Sequence, residues 1–315
     1  MQSAAKSQQS EFTPAEAAAA EVIPLPPQAA AKVVPAVPSP SARPTPTAGR
    51  IRRWLTGNAL SLLLWCISLG GLLAIWYFGT KYRWEFFIRF TNIPTPAEVF
   101  AKVLEVNRSP KYLTNIGISV RRILLGFCIA ILIAVPIGLA VGRYRRVRDL
   151  LLPAFEVLRP IPAIAWVPMS IMLWPTNEVS IVFITFLGSF FPILLNTIHG
   201  VNALDPVLLR AGRCLGASEA RMFWNVILPG ALPHIFTGLA VGMGVAWVSL
   251  IAAEMISGQF GVGYFTWEAY SLVSYAEIVL GMITIGILGL ACSGAIRMVG
   301  TLVMPWLAFG AREHR

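Results

Sequence analysis

The chain has 315 residues, of which 56% are hydrophobic and 13% charged, and its mean hydropathy is +0.69. A soluble domain carries about 25% charged residues, so this chain lacks the charge to cover a water-facing surface and reads as solvated by lipid. Its net charge of +10 does not point to nucleic acid, because the basic residues form short clusters beside apolar runs and no separate basic domain exists.

Residues 1–50 are rich in Ala, Pro, Ser and Gln, with Pro24, Pro26, Pro27 and Pro44 among them. They show no sustained apolar periodicity, which predicts a disordered cytoplasmic tail. The tail also lacks the basic start and short apolar core of a secretory signal. A helix needs about 20 residues to cross the hydrocarbon layer. Six stretches meet or approach that length: 58–79, 120–142, 150–174, 178–200, 231–255 and 277–302. In lipid the backbone must satisfy its own hydrogen bonds, so these are expected to be helices of an all-α integral membrane protein.

Flanking charge sets the expected orientation. Arg50, Arg52 and Arg53 precede the first transmembrane helix (51–80) and place the N-terminus in the cytoplasm. Arg143, Arg145, Arg146 and Arg148 then fall inside, as do 201–230 with Arg210, Arg213 and Arg221, and the 308–315 tail with Arg312 and Arg315. The external segment, 81–118, is the exception, since it carries Lys81, Arg83, Arg89, Lys102, Arg108 and Lys111. It reads either as a solvated loop balanced by Glu85, Glu98 and Glu105, or as a docking surface with a short surface helix over 96–104.

Within the 119–307 transmembrane core, the 201–230 connection has legible local chemistry. Asp205 before Pro206 starts a helix, because Asp caps open N–H groups and Pro suits the first helical position. Leu204 and Leu209 are spaced as a hydrophobic staple. Gly216 supplies the left-handed conformation that ends a helix. Ser218 caps a second short helix with Glu219 at its positive end, and Leu228-Pro229 is expected to close it. A helix–turn–helix of this kind is a partner-docking surface rather than a slack loop.

The stretch Arg210-Ala211-Gly212-Arg213-Cys214-Leu215-Gly216-Ala217, followed by Val226-Ile227-Leu228-Pro229, resembles the E-A-A-x3-G-x9-I-x-L-P motif of ABC importer permeases. Ala211, Gly216, Leu228 and Pro229 match it. Arg210 stands for the usual Glu, Gly212 for the second Ala and Val226 for Ile. The resemblance runs from about residue 93 to 307. It includes Ile93-Pro94-Thr95-Pro96-Ala97-Glu98-Val99, Leu158-Arg159-Pro160-Ile161-Pro162, Phe191-Pro192-Ile193-Leu194-Leu195-Asn196-Thr197, Ala252-Ala253-Glu254-Met255 and Gly261-Val262-Gly263-Tyr264-Phe265. These blocks are similar to the nitrate/sulfonate/taurine/bicarbonate branch.

The resemblance implies a six-transmembrane-helix type I ABC importer permease with a cytoplasmic coupling helix, in the bacterial inner membrane. It implies a permease homodimer, two copies of an ABC ATP-binding subunit that binds ATP and Mg, and an external solute-binding protein. The chain itself is expected to be non-catalytic, to hold no cofactor or metal, and to bind no nucleic acid. Its five lysines, Lys6, Lys32, Lys81, Lys102 and Lys111, none of them after a glycine, cannot supply the phosphate-binding lysine of a P-loop. Cys66, Cys128, Cys214 and Cys292 are scattered, without metal-ligand spacing to His199, His234 or His314. The alternative function is an ion-driven secondary transporter or channel, although such proteins place more ionisable groups at mid-membrane.

Candidate residues of the translocation path or gate are Pro160, Pro162, Pro168, Asn196, Ser249, Glu254, Gly261 and Gly263. Pro153, Pro160, Pro162, Pro168 and Pro175 predict a kinked or broken third span, bordering a path or serving packing alone. Asn196, His199 and Ser249 read as path-lining or as helix–helix hydrogen bonds. Glu254 is expected near the outer end of its span, close to water, in a structural pair or a gating contact. Gly261 and Gly263 suggest a tight external turn or a gate. Gly138 with Gly142 and Gly238 with Gly242 permit close helix packing, within the chain or at a dimer interface.

Overall fold

The structure is a computed structural model that describes residues 59–83, 93–106, 109–257 and 259–306. The expected tails at 1–50 and 308–315 lie outside these residues, as do Arg50, Arg52, Arg53, Arg89 and Arg108. The chain divides into two units, 1–64 and 65–315, the division falling within the first helix, α1 (Ala59–Lys81).

The remaining helices are α2 (Pro96–Val106), α3 (Pro110–Arg143), α4 (Arg145–Leu158), a 3-10 turn (Ala163–Trp166), α5 (Val167–Leu173) and α6 (Asn177–Asn202). They continue as α7 (Pro206–Cys214), α8 (Glu219–Met222), a π-helical turn (Phe223–Ile227), α9 (Leu228–Ser257), α10 (Val262–Ser271) and α11 (Tyr275–Val303). Among the described residues five helices are long and apolar enough to cross a membrane, or six if the bent pair formed by Arg145–Leu158 and Ala163–Leu173 counts as one span.

Helices α3, α6 and α9 form the trunk of the second unit. A Cβ built on Gly126, Gly138 or Gly142 of α3 would lie 2.8, 2.7 or 2.6 Å from Thr185, Thr197 or Val201 of α6. The three pairs keep one register, so α3 and α6 run parallel with their backbones in close approach. Helix α9 runs antiparallel to α6, with Gly238 against Asn196 and Gly242 against Ile193. Both G-x-x-x-G pairs are therefore used inside this chain, and not at a surface open to a second copy. The core filling this trunk includes Ile123, Ile184, Ile193, Leu194, Trp247 and Leu250.

One expected boundary changes. The second span begins at Pro110, because polar residues such as Asn115, Ser119 and Arg122 are buried in the bundle and hydropathy alone does not count them as helix core. The third span is broken, as its prolines predict: its two halves are bent by 83°. Pro160 and Pro162 occupy the break, Pro168 sits in the first turn of α5 and Pro153 is carried within α4. Missing N–H donors account for a break at paired prolines and for tolerance in a first turn. Helix α4 carries Arg145, Arg146, Arg148, Asp149 and Glu156 and buries none of its residues. This is the pattern of an interfacial amphipathic helix.

The short helix expected at 96–104 is present as α2, opened by a reciprocal capping box. Thr95 N–H donates to Glu98 at 3.1 Å, and Glu98 N–H donates to Thr95 Oγ1 at 3.3 Å. Lys102 fastens α2 to α11 through Glu277 at 3.0 Å and also meets Glu105 at 3.1 Å. These carboxylates, Glu277 foremost, hold the Lys102 amine above the ordinary lysine range.

Candidate functional site

The 201–230 connection folds largely as its local chemistry dictates. Asp205 accepts the Val207 N–H at 2.8 Å, and Ser218 Oγ accepts that of Arg221 at 3.4 Å. Gly216 has φ 72°. Beside it Ala217 N–H donates to Gly212 O and Gly216 N–H to Arg213 O, both at 3.0 Å, which is the Schellman pattern. One expectation fails: Leu228-Pro229 does not close the second helix. Leu228 N–H donates to Phe223 O five residues back, so a π turn carries α8 into α9 without interruption.

This element is anchored below and open above. Met222 and Ile227 are buried with Leu139 of α3, Val201 of α6, and Ala231 and Ile235 of α9, and Leu204 and Leu209 pack against the same cluster. Arg143 donates to Glu219 at 2.7 Å. A Cβ on Gly212 would lie 2.6 Å from Met222 Cε, the flexible end of that side chain, so α7 packs closely on Met222 here. Val207 and Leu208 face outward, and Leu215 is 87% exposed. Arg210 and Arg213 share this short helix with them. A loop that merely joined two spans would not hold such apolar groups on a capped, rigid helix.

At the opposite end of the trunk a buried charge cluster joins four segments. Glu254 of α9 accepts from Arg122 Nη1 at 3.0 Å, Ser119 Oγ at 2.8 Å and Gly263 N–H at 2.9 Å. Arg122 also donates to Phe260 O at 2.6 Å, while its Nε donates to Glu178 of α6 at 3.1 Å and its Nη2 to the same carboxylate. Ser119 and Asn115 of α3 accept the N–H groups of Val262 and Gly261 at 2.9 and 3.1 Å. Gly261 (φ 120°) lies so close to the Glu254 carboxylate that a Cβ there has no room. The expectation of water beside Glu254 is thus corrected, since its neighbours replace water entirely. Arg121, also on Glu178, brings the cluster to two positive and two negative groups.

Between these ends lies a cavity of about 540 Å³, walled by α6, α9 and the break in the third span. Gly188, Phe191, Pro192, Leu195, Asn196 and His199 line it from one face of α6. Of the path candidates, the cavity gathers Pro162 and Asn196. Pro160 and Pro168 are exposed outside its lining. Ser249 is buried against Gly188, and Glu254, Gly261 and Gly263 belong to the charge cluster. Arg122, Ser119 and Glu178 escape a sequence reading. Arg122 looks like one of the charges that border a span, and only the pairing across helices reveals its place.

Comparison with known proteins agrees with this architecture. Residues 115–309 match the family model described as binding-protein-dependent transport system inner membrane component. The nitrate import permease protein NrtB of Synechocystis is 33% identical over 224 residues, covering 68% of this chain and 82% of the relative. The taurine transport system permease protein TauC of Escherichia coli is 30% identical over 259 residues, covering 81% and 92% respectively. The bicarbonate transport system permease protein CmpB of Synechococcus elongatus is 38% identical over 173 residues, covering 55% and 62%. A bundle of apolar spans carrying a capped surface element, together with a family match over residues 115–309, leads to one conclusion: the chain is a multi-pass membrane protein of the binding-protein-dependent transport family, an ABC importer permease.

Proposed function

We propose that this permease forms the translocation path for a small anionic nutrient of the nitrate, sulfonate/taurine or bicarbonate kind and couples its passage to ATP hydrolysis in a separate subunit. Two copies of the permease would pair with two ATP-binding subunits, which hold ATP and Mg, and would receive solute from an external binding protein. The N- and C-termini and α7 face the cytoplasm in this reading, and the Arg122–Glu254 cluster faces the other side.

The observation that carries the proposal is the join between α7 and the trunk. Val207, Leu208 and Leu215 are exposed for a partner, while Met222 and Ile227 of the same element are buried against α3, α6 and α9. Close-packed interiors transmit displacement instead of absorbing it. A push on α7 therefore reaches the three trunk helices together, and the parallel and antiparallel glycine contacts move them as a block.

The test is a Ser218→Cys variant, with Cys214 replaced by Ser, in the assembled transporter. A short bifunctional reagent is expected to crosslink it to the ATP-binding subunit. Accessibility tagging is expected to place Gly216 on the cytoplasmic side. An active complex without the crosslink, or Gly216 on the outer face, would overturn the reading.

A further inference from the structure

The cavity between α6, α9 and the break in the third span is lined by an exposed arginine that takes no partner among the described residues. Arg159 ends α4, and among the described residues its guanidinium makes neither an ion pair nor a hydrogen bond. Among the described residues no carboxylate lines the cavity. Its walls are otherwise mostly apolar, with Leu187, Phe191, Val241 and Val245 prominent. The contrast with Arg122 is instructive, because there the same bundle supplies two carboxylates and a carbonyl to one guanidinium. Arg159 is exposed where it borders these walls, so its charge stays available to an anion entering from water. Field lines in a low-dielectric cavity are also focused on whatever enters.

Two further donors converge on the same space. Asn196 and His199 are one helical turn apart on α6 and line the cavity together. One Asn196 N–H is used internally, on Pro192 O at 2.8 Å, and this bond fixes the side chain along the helix. The guanidinium fork matches two oxygens of a carboxylate, sulfonate, nitrate or bicarbonate group, and amide and imidazole N–H groups serve the remaining oxygens. From Arg159, Asn196 and His199 the geometry points to a transient oxyanion site within the permease itself, in which Arg159 selects for negative charge. It deepens the proposed function above and rests on it for its biological meaning. At about 540 Å³ the cavity is roomy for so small a group, which suits a way-station: a conducting site must bind weakly enough to release.

The test reads charge selectivity directly. Val245 also lines the cavity, and V245C is introduced into a complex whose permease has Cys66, Cys128, Cys214 and Cys292 replaced. Its labelling by an anionic methanethiosulfonate (sulfonatoethyl) is compared with that by a cationic one (trimethylammonioethyl), each normalised to a small thiol in solution. The normalised anionic rate is expected to exceed the cationic by about ten-fold, to fall to about equal in R159Q, and to persist in R159K. Equal rates with Arg159 present, or a ratio unmoved by R159Q, overturn the proposal.

Uptake supplies the second arm, with whichever of nitrate, taurine or bicarbonate the wild-type complex carries. R159Q is expected to lower it by about ten-fold while hydrolysis stimulated by the binding protein continues. N196L, which leaves the charge in place, is expected to lower it by about three-fold. Unchanged uptake in R159Q sinks the oxyanion site and leaves the ATP-driven reading standing. No ATP-dependent uptake in the wild type sinks that reading, and the labelling ratio still decides the site.

Discussion

Arg122 and Glu254 lie 132 positions apart in the chain yet meet at 3.0 Å, with side chains 1% and 0% exposed. Their contact ties α3 to α9 and, through Phe260 O and Gly263 N–H, holds the turn that leads into α10. A buried ion pair is a poor guide to net stability, but breaking one side leaves a charge stranded. Arg122→Ala is therefore expected to cost about 3–5 kcal/mol, lowering the thermal midpoint of the purified protein by on the order of 10 °C. The double variant Arg122→Ala, Glu254→Gln is expected to recover part of that loss by removing the stranded carboxylate. Equal midpoints for the single and double variants would show that the pair is not coupled.

Glycines in the same turn and in the exposed helix faces make opposite predictions. Gly261 has φ 120° with the Glu254 carboxylate where a side chain would go, and a Cβ on Gly263 would lie 2.7 Å from Ile251 O. Gly261→Ala and Gly263→Ala are each expected to destabilise by about 2 kcal/mol or more. Gly244 and Gly286 have nothing within 4 Å of a Cβ, so alanine there is expected to be neutral or stabilising by up to about 1 kcal/mol. Thermal midpoints of the four variants check the contrast, and a uniform response would contradict it.

The Lys102–Glu277 pair predicts a pH dependence with a definite sign. Hydrogen bonds to Glu277 and Glu105 raise the folded-state pKa of Lys102. A group raised on folding contributes stability that is complete below its unfolded value, about 10.4, and is lost as pH rises through the higher folded value. Wild type and Lys102→Met are expected to give parallel midpoints from about pH 6 to 9, converging only above about 10.4. High salt is expected to narrow the difference, because this pair is partly exposed. Convergence already at neutral pH would mean that the pair does not fasten α2 to α11.

How far the chain was legible depended on the distance over which each feature is determined. The caps at Asp205, Gly216 and Ser218 are fixed by partners within a few residues, so the helix–turn–helix could be read in advance. Spans were legible as apolar runs and the prolines announced the break near Pro160 and Pro162, yet averaging hydropathy hid the start of α3 at Pro110. Leu228-Pro229 misled because proline usually ends what precedes it, and a π turn needs tertiary support that local rules do not contain. The partners of Arg122 lie on three other segments, and no spacing rule connects them. Arg159 stood in a recognisable block, but only the cavity shows what it lacks.

The last prediction concerns the proposed coupling element, where stability and function separate. Ser218→Ala removes a cap on a helix whose far side, Met222, is fully buried, so the fold is expected to lose only about 1 kcal/mol. Leu215→Asp touches nothing in the core, since Leu215 is 87% exposed, and the thermal midpoint of the isolated permease is expected not to move. Both act on the surface proposed to meet the ATP-binding subunit, the first by loosening its geometry and the second by placing charge in the apolar contact. Leu215→Asp is expected to lower co-purification of that subunit at least ten-fold, and Ser218→Ala by about three-fold. Met222→Ala should invert the pattern: it opens a cavity beneath the element and is expected to cost about 2–5 kcal/mol, with the outward-facing residues untouched. If Leu215→Asp left the complex intact while Met222→Ala alone dissolved it, the element would be a strut of the bundle, and the engine would have to grip the permease elsewhere.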